Sequence, residues 1–213
     1  MKNYGKLTLA LIVGWFFFAL FASAIHLFKT DADRIGLTVA IIALSPIVVF
    51  SLWFVASRNF RQFALSLNSR ILTSAQSWRL LGFVFVLLEA HAILPATFAL
   101  PAGYGDMAIG ATAAFVAWKL CDPIHRKAFI LWQLLGIADL VAAVGLGTTA
   151  PLLHPHGAPM VAMTVLPLSL IPTFLVPLFV IFHVICIAQA KSWKIASHRC
   201  TPPVSRTLQQ PAI

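Results

Sequence analysis

Residues 80–121 read LLGFVFVLLEAHAILPATFALPAGYGDMAIGATAAFVAWKLC, and how this stretch divides decides the fold. A helix crossing a bilayer needs about 20 predominantly apolar residues, so the stretch is long enough for two. Pro95 and Pro101 interrupt it, and Gly103, Gly105 and Gly110 follow with Asp106 among them. Dividing it at Pro101 gives a third span over 80–100 and a weaker fourth over 102–121.

Four more apolar runs flank this stretch, at 7–28, 35–56, 128–148 and 163–188. Each is near the length that covers about 30 Å of hydrocarbon at 1.5 Å per residue. The sequence therefore predicts an all-α integral membrane bundle of six transmembrane helices. Charge tests the count. With both termini cytoplasmic, thirteen of the fifteen basic residues fall inside, and only Lys29 and Arg34 fall outside, beside Asp31 and Asp33. Without the fourth span, the basic groups around Arg126 and Lys191 would move outside, against the positive-inside rule. Trp53, Trp78, Trp118, Trp132 and Trp193 gather toward the same inner interface.

Composition agrees. The chain is 60% hydrophobic and 10% charged, against about 25% charged in soluble domains. Its net charge of +9 is carried between apolar runs, so the anionic inner leaflet explains it better than nucleic acid. The expected partners are the lipid bilayer and, beyond it, a second copy or a membrane subunit. The expected location is a bacterial inner membrane. Cys121, Cys186 and Cys200 have no disulfide or zinc spacing.

Residues 1–190 form the expected transmembrane domain, and the polar tail 191–213 is expected to be disordered. Lys2 and Lys6, an apolar run and Ala22-Ser23-Ala24 also fit a signal peptide over 1–24. The run continues past that site, which favours an uncleaved span. Between the second and third spans, Phe60, Phe63, Ala64, Leu67 and Ile71 share one helical face. That pattern predicts an interfacial helix over about 59–72.

Ionisable groups inside a bilayer cost about 2.5–3.5 kcal/mol each on insertion scales, so each needs a reason. The candidates for a substrate or proton pathway are Glu89, His91, Asp106, Asp139 and His183. Counting from the inner ends places Glu89, His91 and Asp139 near the midplane, Asp106 near the outer surface and His183 nearer the inner one. Glu89 and His91 point to opposite sides of a helix, so the expected pair is either His91 with Asp139 or Glu89 with another group, and the first would form the midplane site. Asp106 and Asp139 both sit on small-residue stripes, Asp106-Gly110-Ala113-Ala117 and Gly136-Asp139-Ala143, which predicts that the fourth and fifth spans pack closely on each other. Pro95, Pro101, Pro172 and Pro177 fall in the outer halves of spans three and six, where freed carbonyls can shape a cavity. His154 and His156 form a weak metal clip. His91 and His183 differ too much in depth for one haem, and no cofactor or enzyme motif stands in the chain. The expected function is a small transporter or ion- or proton-conducting protein. A cofactor-binding redox protein or enzyme and an accessory subunit of a membrane complex are the rivals.

Overall fold

The computed structural model describes residues 2–28, 37–153 and 159–193, and these are helical without strands. In chain order the elements are α1 (Lys2–Ala24), α2 (Leu37–Ala56), α3 (Arg58–Leu65), α4 (Ser69–Ser74), a 3-10 segment (Ala75–Gly82) and α5 (Phe83–Ala90). There follow α6 (Ala96–Lys119), α7 (Arg126–Leu153), a 3-10 turn (Met160–Thr164), a π turn (Ile171–Leu175) and α8 (Val176–Ser192). Five stretches are long and apolar enough to cross a membrane: Tyr4–Ala24, Val39–Ala56, Ser69–Ala90, Arg126–Ala150 and Ile171–Ser192. Their outward faces carry large exposed apolar side chains such as Phe21, Val55, Trp78 and Val141. In water such a surface would aggregate, whereas in a bilayer it faces acyl chains.

The expected boundaries change in two places. The helix expected over 80–100 instead runs from Ser69 to Ala90 as α4, the 3-10 segment and α5. Asn68 starts it, its Oδ1 accepting from the N–H groups of Arg70 at 2.9 Å and Ile71 at 3.3 Å. It stops at His91, and Ala92 takes a left-handed φ of 55°. Pro95, extended at ψ 136°, then opens α6. The break thus lies at Pro95, because a residue before proline avoids the helical region. Pro101 sits in the second turn of α6 and does not end it. The interfacial helix over 59–72 is likewise two pieces. α3 is amphipathic, with Phe60 and Ala64 buried, and ends at Ser66, while Ser69–Leu72 already belong to the next long helix. Residues 194–213, including most of the tail, lie outside the described residues.

α6 is the hub of the bundle, packing on the Ser69–Ala90 helix and on α7, and α8 packs on α7, α4 and α2. One core cluster joins Phe129, Val116, Ile185 and Leu72. A second, around Phe98, Phe85 and Met163, fills the opposite end. Between them lies a polar layer.

Candidate functional site

The 3-10 segment builds this layer. Three residues per turn stack positions i and i+3 on one edge, and the buried residues of the segment are Gln76, Arg79 and Gly82. Arg79 stands ten residues from Ser69 and eleven from Ala90, so it lies at mid-height of its helix. All three nitrogens of its guanidinium find partners. Nε donates to Asp106 Oδ1 at 2.7 Å, and Nη2 donates to Asp139 Oδ2. Nη1 donates to the Gly136 carbonyl at 3.3 Å and lies 3.4 Å from His183 Nε2. Arginine has only donors, so His183 Nε2 accepts and Nδ1 carries the proton. That N–H donates to Gln133 Oε1, and Gln133 Nε2 donates to Thr73 Oγ1 at 3.1 Å. Thr73 Oγ1 lies 3.7 Å from Cys186 Sγ. Polar contacts therefore run from the guanidinium toward the Ser69 end of the bundle.

Glycines let the backbones come this close. A Cβ on Gly110 would stand 2.5 Å from Leu80 N and 2.9 Å from the Arg79 carbonyl carbon. One on Gly82 would stand 2.5 Å from Asp106 Cβ and 3.0 Å from the Gly103 carbonyl oxygen. Gly105 lies under the Asp139 carboxylate, and Gly136 lies under the His183 ring. The small-residue stripes of α6 and α7 thus bring both aspartates onto one cation.

The three ionic side chains differ in exposure. Arg79 is 1% exposed, Asp106 13% and Asp139 18%, so the cation is sealed while both carboxylates keep a reachable edge. A cavity of about 80 Å³ adjoins Asp106 and continues past Leu140, Met163 and Pro172 to Thr148 and Thr164. A second of about 70 Å³ touches both Arg79 and Asp106. Gln76 donates to the Phe179 carbonyl at 3.3 Å, but its buried Oε1 has no protein partner.

Glu89, His91, Asp106 and His183 are placed differently from their sequence depths. Asp106, Asp139 and His183 converge, all at mid-height of their helices. His91 does not meet Asp139. It closes the far end of its helix, exposed, with Nδ1 2.8 Å from the Leu87 carbonyl oxygen. Glu89 lies half-buried beside it and has no ion pair among the described residues. Both depths shift because the helix begins eleven residues earlier than Leu80. Pro172 lines the 80 Å³ cavity, Pro177 is buried in the first turn of α8, and Pro95 and Pro101 stand at the start of α6. His154 and His156 lie outside the described residues. No group of three metal-ligating side chains gathers among those described.

Arg79 itself was missed, because it was counted with the inner-loop cations. The signal was present in Ser69, Thr73, Gln76 and Arg79, spaced 4, 3 and 3. That spacing draws a polar stripe along one helical face. Two aspartates in neighbouring spans also called for a cation.

Residues 33–190 match the model of a family described as a domain of unknown function, DUF8737. The match covers well over half of the chain and includes every residue of the cluster, so the chain belongs to that family. No curated protein and no solved structure matches.

Proposed function

We propose that this member of the DUF8737 family is a six-span membrane protein that passes protons or a small monovalent cation through the Arg79 cluster. α6 is the sixth span in this reading. Its 24 residues extend about 36 Å at 1.5 Å per residue. In this reading both termini face the cytoplasm, as the positive-inside rule favours, and the membrane is a bacterial inner one. One observation carries the functional reading: a single guanidinium holds two carboxylates. With both ionised, the triad carries one surplus negative charge at mid-bilayer. A surplus charge there takes up a proton or a monovalent cation. An apolar-walled cavity of about 80 Å³ adjoins Asp106 on one side of the cluster. The His183–Gln133–Thr73 chain leads toward the other end.

The test is flux into proteoliposomes under an imposed membrane potential, read with a pH-sensitive dye and with a potassium- or sodium-sensitive one. Wild type is expected to exceed empty vesicles, and Asp139→Asn to lose most of the difference while remaining folded. Flux in Asp139→Asn equal to wild type, or none in wild type, overturns the reading.

A further inference from the structure

Asp106 is the one charged residue lining the 80 Å³ cavity. Its Oδ1 accepts from Arg79 Nε, and its Oδ2 takes no hydrogen bond among the described residues. With 13% of the side chain exposed, the carboxylate keeps an edge that a ligand can reach. Two aromatic rings share the wall with it. Phe85 and Phe98 both line the cavity, with ring centroids 5.4 Å apart. Farther along, Gly147 adds no side chain, and a Cβ there would stand 3.4 Å from two Phe98 ring carbons and from Met160 Cε.

The wall discriminates among monovalent cations. Sodium or potassium gives up its water only to a cage of oxygens. The lining side chains offer the Asp106 carboxylate and, at the far end, the hydroxyls of Thr148 and Thr164. Both hydroxyls already donate within their own turns, Thr148 to the Val144 carbonyl at 2.9 Å and Thr164 to the Val161 carbonyl at 2.8 Å. An ammonium group on a hydrocarbon body fits this lining better. Its N–H donates to the free carboxylate oxygen, the ring faces attract its charge, and its alkyl part is buried on the apolar wall. Size sets a limit as well. A cavity of about 150 Å³ holds benzene, so one of about 80 Å³ takes about three or four non-hydrogen atoms.

We infer that this cavity binds a small alkylammonium ion, its nitrogen at Asp106 Oδ2 and its alkyl chain toward Phe98 and Gly147. The inference rests on the surplus negative charge of the triad and names the class of cation that the site takes up.

The test is calorimetry on the full chain in a neutral detergent, titrated with methyl-, ethyl-, propyl- and hexylammonium chloride, with 1-propanol and with potassium chloride. Affinity is expected to rise about fourfold per methylene from methyl- to propylammonium and to fall again at hexylammonium, which outgrows the cavity. 1-Propanol, with the same number of non-hydrogen atoms and no charge, should not bind. Asp106→Asn should weaken propylammonium roughly 10- to 100-fold. Equal binding of 1-propanol, displacement of propylammonium by equimolar potassium, or affinity that climbs steadily through hexylammonium would each overturn the site. The wild-type series needs no variant, so misfolding of Asp106→Asn leaves the inference refutable. Proton or potassium flux in proteoliposomes without alkylammonium binding overturns this inference alone. Alkylammonium binding without flux supports the site and overturns the conduction.

Discussion

Removing Arg79 alone should damage the fold more than removing the whole charged triad. Arg79→Met keeps an unbranched stem of similar reach, but deletes the donors at 2.7 Å from Asp106 and beside Asp139. Two carboxylates are then left facing each other across the α6–α7 contact, each without its cation. Stranding charge in this way typically costs about 3–5 kcal/mol, whereas replacing all members by neutral groups is often close to neutral. Arg79→Met/Asp106→Asn/Asp139→Asn keeps the side-chain volumes and removes every charge. The single variant should therefore lose about 3–5 kcal/mol and the triple variant no more than about 2. Some loss remains in the triple variant, because the Gly136 carbonyl and His183 Nε2 still lose their donor. Denaturant titration in mixed micelles, followed by tryptophan fluorescence, measures both. If the single variant unfolds within about 1 kcal/mol of wild type, or the triple is no more stable than the single, the triad is not a coupled buried unit.

Gly110→Ala should cost about 1–3 kcal/mol, since the new Cβ meets the backbone of Arg79 and Leu80, which cannot swing aside. Gly145→Ala, where nothing lies within 4 Å, should be neutral or stabilising by the same unfolding assay; equal losses at both sites would refute the packing argument. Gln133→Leu should cost about 1–3 kcal/mol, because it strands His183 Nδ1–H and Thr73 in a sealed layer, and a loss near zero would show that layer to be hydrated. In the α6–α7 loop, the His125 side chain and backbone N–H hold the Asp122 carboxyl below its ordinary value of 3.8. A depressed carboxyl contributes stability above that value and loses it as pH falls through the lower folded value. An NMR titration should show the low midpoint, and His125→Ala should raise it, with an unchanged midpoint in that variant counting against the pairing.

Much of the bundle could be read from the chain, because bilayer thickness fixes helix length. The small-residue stripes mark helix contacts, but with other partners than each other alone: Gly105 meets Asp139 across α6 and α7, whereas Gly110 packs on the 3-10 segment and Gly136 under His183 of α8. What could not be read was the start of the third long helix. Hydropathy rises sharply only after Arg79, so the apolar run hid eleven earlier residues whose inner face is polar and outer face apolar, as exposed Ile71 and Trp78 show. That error carried Glu89 and His91 to the midplane and left the true cation in a loop. Nor does a proline pattern say which proline ends a helix. Pro95 and Pro101 look alike in sequence, and the left-handed turn at Ala92 distinguishes them only in three dimensions.

The count of charges separates a clamp from a working site. To fix the register of α6 against the Ser69–Ala90 helix, one carboxylate on Arg79 neutralises the cation, and a polar neutral side chain on α7 could hold Nη2. The molecule instead places a second carboxylate there, and Gly105 makes room for it. In a low-dielectric layer that surplus charge brings no gain in stability of its own. In the proposed function it is the charge that lets a proton or cation come and go.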